Sequence, residues 1–409
     1  MKRTLLSFFL CVPVASLVAP AAFGQAAQEL PTLDPGQVRI INDHEAKQYL
    51  AIKGVSLGTA ATPVTNGGEI PLFTYQVRSS RDNNVYTGVM VGQSPFNHGA
   101  RTTTVPVVVV PVVLSITQNN VTYVFDPTKG DPGCLANSNA LALTQNGPIF
   151  NNATYVMNGV NVGDTQYIDA NQRGEFWQLV KNTGNSYHLL LSQTAGAPLT
   201  INLQATTNVS EVVAVNPGTC TNTGLTNPSN ALAIVDINLM DSLLTSYITT
   251  NGITPSQFPL FLIYNTVMSI NTFNNCCVLG YHNDFGTQNN NPGQTYGIAD
   301  WQGNAAFGGG ILDTSVMAHE VGEWANDPGT GNPTPAWGHI GQTSGCQNNL
   351  EVGDALTGTD RPNVTINGFT YHLQELVFFS WFYGAPSLGA GGLYSNNGTF
   401  TTDAGPVCH

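Results

Sequence analysis

The chain has 409 residues, with 12 Lys and Arg against 25 Asp and Glu. That is enough for two domains with sizeable cores, and the acidic balance excludes nucleic acid and anionic membrane as favoured partners. Only 9% of residues are charged, 43 are Gly and 24 are Pro, which suits a β- and loop-rich extracellular protein; the 42% apolar content argues against disorder.

Residues 1–24 read as a secretory signal: Lys2 and Arg3 precede the apolar stretch Leu5–Val18, and Ala22-Phe23-Gly24 offers a small-residue cleavage site. The apolar run is shorter than the ~20 residues of a spanning helix, so a secreted chain without a membrane span is expected. Cys11 leaves with the leader. Cys134, Cys220, Cys276, Cys277, Cys346 and Cys408 form an even set that suits disulfides in an oxidising compartment. Adjacent Cys276 and Cys277 are expected to take different partners, with Cys346 reaching one of them. No CxxC spacing supports a cysteine-bound zinc.

Residues 25–68, rich in Pro, Gly and Ala with a helical patch at His44–Ile52, read as an N-terminal arm or propeptide. Residues 69–225 read as a β-rich domain. Ile70–Val77, Val85–Val91, Val105–Ile116, Val121–Phe125 and Tyr187–Leu191 are β-branched and aromatic runs between Asn/Gly/Asp clusters, and Ala170–Val180 is a short helix. Pro106 and Pro111 predict that the valine run is an edge or bent strand. A Pro/Asn/Thr/Gly-rich stretch at 216–230 marks the boundary with a second domain, 226–409. There Met240, Leu243, Leu244, Tyr247 and Ile248 recur at helical spacing, and Leu260–Met268, Val278–His282 and Thr295–Trp301 read as strands. A further helix starts at a cap, Asp313 or Ser315, and stops before Pro328. Helix, strands and helix make an α+β order.

That last helix contains His319-Glu320-Val321-Gly322-Glu323. At 3.6 residues per turn His319 and Glu323 leave one face a turn apart, so an imidazole and a carboxylate can meet one cation, with Glu320 beside them. His44-Glu45 is followed three residues on by Gln48 rather than by a carboxylate and reads as surface helix. Downstream lies Asn349-Leu350-Glu351-Val352-Gly353-Asp354. The 226–409 region resembles the zincin metalloproteases, in the gluzincin arrangement with a variant HExxE motif.

The resemblance implies a zincin-like α+β domain built on an active-site helix. Its metal ligands would be His319, Glu323 and Glu351, with Glu320 as general base and Asp354 as the acceptor for the His319 ring. Glu351 would sit on a downstream helix, and an edge strand at Tyr296–Trp301 would pair with an extended peptide. Glu323 stands where the family has His, and Asp354 follows Glu351 by three residues rather than four. His282, His339 and His372, the last opening an apolar helix Leu373–Phe382, compete as third ligand, and Asp327 reads as a turn residue.

Replacing an imidazole by a carboxylate lowers the charge of a zinc site, so harder ions such as Mn or Ca compete. The expected function is a secreted metal-dependent hydrolase acting on peptide or protein. The alternative is a non-enzymatic secreted or surface β protein whose HExxE helix holds a structural metal or a buried polar network. A glycosidase pair at Glu320 and Glu323 fits poorly, because neighbours on one helix rarely flank a glycosidic bond from opposite sides.

Overall fold

The computed structural model describes residues 30–33, 40–41, 46, 68–98, 101–131, 135, 138–182, 186–215, 230–286, 292–303, 306–307, 311–339, 346–358, 362–405 and 408. The leader, most of the His44–Ile52 patch, the linker through 229, Cys134 and Cys220 lie outside the described residues. Up to residue 215 the chain forms β1 (Leu72–Arg78), β2 (Val85–Val91), β3 (Thr102–Gln118), β4 (Val121–Phe125), α1 (Ala140–Asn146), β5 (Ala153–Met157), β6 (Val160–Thr165), α2 (Tyr167–Glu175), β7 (His188–Ala195), β8 (Leu199–Gln204) and β9 (Ser210–Ala214). Then come β10 (Ala231–Asp236), α3 (Ile237–Thr250), β11 (Phe258–Tyr264), β12 (Thr266–Ser269), β13 (Cys276–Val278), β14 (Gly280–Phe285), β15 (Gln294–Trp301) and α4 (Ser315–Asn326). Four short strands follow: β16 (Pro333–Gly338), β17 (Cys346–Asn349), β18 (Asn363–Ile366) and β19 (Phe369–His372). The protein is mixed α/β and mostly β.

A seven-stranded sheet runs β14-β15-β11-β3-β4, with β7 and β8 also paired to β3, and a four-stranded sheet runs β13-β12-β10-β9. Strand β3, from the first half of the chain, pairs in parallel with β11 from the second half. Contrary to expectation, β3 is central rather than an edge. Its prolines fall where one neighbour is missing: Pro106 precedes Val107, the first residue opposite β11, and Pro111 lies between the end of β7, opposite Val109, and the start of β8, opposite Val112. A missing N–H costs a sheet nothing where no strand stands to receive it.

Period-2 alternation sorts β11 between two cores. Phe258, Leu260, Leu262 and Tyr264 face Met317, Val321 and Trp324 of α4. Phe261 and Ile263 join Met240, Leu244 and Ile248 of α3. Burial on both faces explains the unbroken apolar run Leu260–Tyr264. Trp324 stacks on Phe258 at 4.0 Å between ring centroids, and all twelve residues of α4 are buried.

Several sequence expectations change at corners. The run Leu260–Met268 is two strands in different sheets, because Asn265 adopts a positive φ of 44° and its side chain accepts the Gly303 N–H at 2.7 Å. Val278–His282 divides in the same way at Leu279. Tyr296–Trp301 is not an edge: β15 pairs with β11 on one side and β14 on the other, so the edge is Gly280–Phe285. Neither Asp313 nor Ser315 caps α4; Thr314 is the N-cap residue, while Ser315 Oγ accepts the Leu312 N–H. Leu373–Val377 is extended, bonding through Val377 N–H to the Val352 carbonyl, and only Phe379–Phe382 is helical. Cys276 and Cys277 pair with each other across a cis peptide that sets their Cα atoms 3.0 Å apart, and Cys346 pairs with Cys408. Among the described residues no helix is long and apolar enough to cross a membrane.

Candidate metal centre

Four stretches of chain meet at the buried face of α4. The helix supplies His319, Glu320 and Glu323; the edge strand β14 supplies His282; the turn after β17 supplies Glu351 and Asp354; the extended segment after β19 supplies Gln374. Their side chains are all buried, His282, Glu323 and Glu351 completely. The turn forms around the helix: Glu323 Oε1 accepts the backbone N–H groups of Gly353 and Asp354 at 3.0 and 3.1 Å. This tight capture leaves Glu351 on a turn ahead of a single 3-10 turn, Asp354–Leu356, rather than on the expected downstream helix.

Two glycines allow the approach. A Cβ on Gly353 would lie 2.5 Å from His319 Nδ1, and one on Gly280 would lie 2.7 Å from both Glu320 Oε1 and the Ile298 carbonyl. Any side chain at these positions forces the site apart.

The hydrogen bonds around the two histidines orient their ring nitrogens. Gln374 Nε2 donates to the Gly353 carbonyl at 2.6 Å, which turns Gln374 Oε1 toward His319 Nδ1 at 3.0 Å. An amide oxygen only accepts, so Nδ1 carries a proton, and in the neutral ring Nε2 is the nitrogen that offers its lone pair. That Nε2 stands 3.0 Å from Glu323 Oε2 and 3.5 Å from Asp354 Oδ1. The acceptor expected at Asp354 is therefore Gln374; Asp354 lies on the Nε2 side, held by the Gln347 amide on its other oxygen.

His282 repeats the logic. Its Nε2 donates to the Asp327 carbonyl at 2.9 Å, leaving Nδ1 to face Glu320 Oε2 at 3.7 Å and Glu323 Oε2 at 3.9 Å. A lone pair and a carboxylate repel in a buried space unless a cation or a second proton stands between them. The donor set therefore suits a metal: His282, Glu323 and Glu351 place one donor atom each within 4.8 Å of one another, and so do His319, Glu320 and Glu323.

The structure thus brings Glu351 to Glu323 alongside His282, and Glu320 to Glu323 alongside His319. Neither His339, which bonds to the Asp354 carbonyl, nor His372, bonded to Asp313, joins such a group among the described residues. Sequence reading passed over Gln374, a neutral amide inside an apolar run. His282 stands in the sequence only as one of three competing third ligands, at the end of a short strand. Asp327 does end the helix in a turn, its Oδ1 accepting Gly331 and Asn332 N–H groups, and it also aims a carbonyl at His282.

A cleft opens over His319, Glu320, Asp354 and Gln374, walled by Leu279 and Val316. Ile40 and Ile41 line its rim, and the Ile41 N–H donates to the Cys277 carbonyl at 2.8 Å. No protein-family model, no curated protein and no solved structure matches the chain, so no relative's activity transfers to it.

Proposed function

We propose that the protein is a secreted metal-dependent hydrolase of peptide bonds, with a zincin-like active-site helix in α4. The observation that carries the reading is the position of Glu320, which shares the cleft with His319 while lying within 4.8 Å of His319 and Glu323 donors. His319 Nε2 and Glu323 Oε2 would hold the ion, with Asp354, whose Oδ1 stands 3.5 Å from His319 Nε2, completing its protein donors. A divalent cation there supplies Lewis acidity for a carbonyl oxygen and lowers the pKa of water. Glu320 takes the proton from the attacking water and passes it to the leaving amine. Gln374 keeps the His319 ring in the tautomer that offers Nε2, as a hydrogen-bonded acceptor behind a ligand does.

Peptide is the substrate favoured by the cleft's rim. Gly280 begins the edge strand beside Glu320, and the Cys277 carbonyl of β13 just before it already accepts the Ile41 N–H. Main-chain bonding of this kind is how sheet edges take peptides. The leader motif and the two cysteine pairs support export.

The test is hydrolysis of a denatured protein substrate by the purified chain, with and without chelator, beside Glu320→Gln. Chelator should abolish turnover, and the variant should lose about 10²-fold or more while keeping its metal. Full turnover by Glu320→Gln would refute its role as base. A bound ion with no hydrolysis would favour a structural metal in a non-enzymatic secreted protein.

A further inference from the structure

We infer that the centre holds two divalent cations sharing Glu323, the second lying against His282 and Glu351. This deepens the hydrolase reading in part, since the first ion rests on it, but the second rests on its own donors. Two three-residue donor groups, one through His319 and Glu320 and one through His282 and Glu351, meet only at Glu323. Its Oε2 lies between the two rings, 3.0 Å from His319 Nε2 and 3.9 Å from His282 Nδ1. In the neutral rings, the hydrogen bonds from His319 Nδ1 to the Gln374 amide oxygen and from His282 Nε2 to the Asp327 carbonyl leave His319 Nε2 and His282 Nδ1 facing Glu323, while Glu351 Oε2 approaches His282 from the Nε2 side at 3.9 Å. A carboxylate flanked by two imidazole nitrogens fits the bridge of a two-metal site, where the ions stand about 3.5–4 Å apart.

Charge points the same way. Glu320, Glu323, Glu351 and Asp354 are four carboxylates buried together. Protonating both histidines offsets half their charge; two divalent ions offset all of it. The chain offers little else, because between residues 182 and 409 the only Lys or Arg is Arg361. Of the arginines in the first half, Arg78 bonds to Asn83, Arg81 to the Trp381 carbonyl and Arg173 to the Val162 and Tyr187 carbonyls. Imidazole beside carboxylate suits Zn or Mn.

The experiment titrates chelator-treated full-length protein with Zn(II) alone and measures bound metal after gel filtration, for wild type, His282→Ala and Glu351→Gln. The wild type should hold two ions per chain and each variant one. Glu351→Gln preserves shape and an acceptor for the Asn349 amide, so it keeps the test open should His282→Ala fail to fold; far-UV circular dichroism checks both. Loading with Mn(II) should give an exchange-coupled magnetic resonance spectrum in the wild type and an isolated-ion spectrum in Glu351→Gln. One ion per chain in the wild type, or two ions retained by folded forms of both variants, would overturn the second site. Hydrolysis is assayed on the same samples. One ion with chelator-sensitive hydrolysis removes the second site and leaves the hydrolase; two ions without hydrolysis do the reverse.

Discussion

Replacing Glu323 separates what its two oxygens do. Oε1 accepts two buried backbone N–H groups, from Gly353 and Asp354, and Oε2 faces the two histidines. Glu323→Ala strands both N–H groups at about 1–3 kcal/mol each, so with chelator present it should lower unfolding free energy by about 2–6 kcal/mol. Glu323→Gln keeps Oε1 in place and offers an amide N–H to the His319 lone pair, so in chelator it should stay within about 1 kcal/mol of wild type. Both substitutions remove the charge that holds the ion and should therefore lose metal. Glu323→His, which restores the HExxH spelling, supplies at most one acceptor for the two N–H groups and should cost about 1–3 kcal/mol even if it binds zinc. Urea unfolding in excess chelator, beside metal analysis of the same samples, measures both quantities. Equal stability of the Ala and Gln variants in chelator would refute the role given to Oε1. Wild-type metal affinity in Glu323→Ala would refute its role as ligand.

Gly280→Ala should destabilise the fold by about 1–3 kcal/mol, because the new methyl meets the Ile298 carbonyl and Glu320 Oε1 at 2.7 Å. It should also cut hydrolysis by about 10²-fold through displacement of Glu320, with metal content unchanged; wild-type melting and turnover would contradict this. Glu175 is fully buried, and burial holds its carboxyl well above the usual 4.5. The native state then binds the proton more tightly than the unfolded chain, so the stability it contributes is present below about pH 4.5 and is lost as pH rises through the folded value. Glu175→Gln should melt higher than wild type, with a margin that widens as pH rises above about 4.5; a constant margin would show that Glu175 does not set that slope.

Legibility of the site followed the reach of local periodicity. His319, Glu320 and Glu323 could be read because one helical turn fixes which side chains share a face. His282 sits 37 residues earlier on a strand. It reaches the helix because the chain changes sheets at Asn265 and again at Leu279, and neither change leaves a period in the sequence. Gln374 was obscured because Leu373–Phe382 is apolar enough to pass for a helix, whereas Val377 pairs with Val352 and draws the segment straight. The prolines of β3 misled for a related reason: a proline excludes a partner at one position on one side, and only the pairing map shows that β11 and the β7–β8 break leave those positions vacant.

The scarcity of basic residues connects the site to the fold. Burying a carboxylate without a counter-charge costs several kcal/mol, and this half of the chain has one Arg with which to offset four. The segments that bear them, the middle of β14, the buried helix α4 and the turn after β17, have no cysteine pair joining them among the described residues. A cation held between His282, His319 and these carboxylates would therefore act as the cross-link of the core around α4 as well as its chemistry. Free ion at about a thousand times its dissociation constant adds about 4 kcal/mol to the native state, comparable with a disulfide closing a long loop. An apolar helix can then bury its charged face completely, because the charge is cancelled at the point where the strands and turns converge rather than along the helix surface.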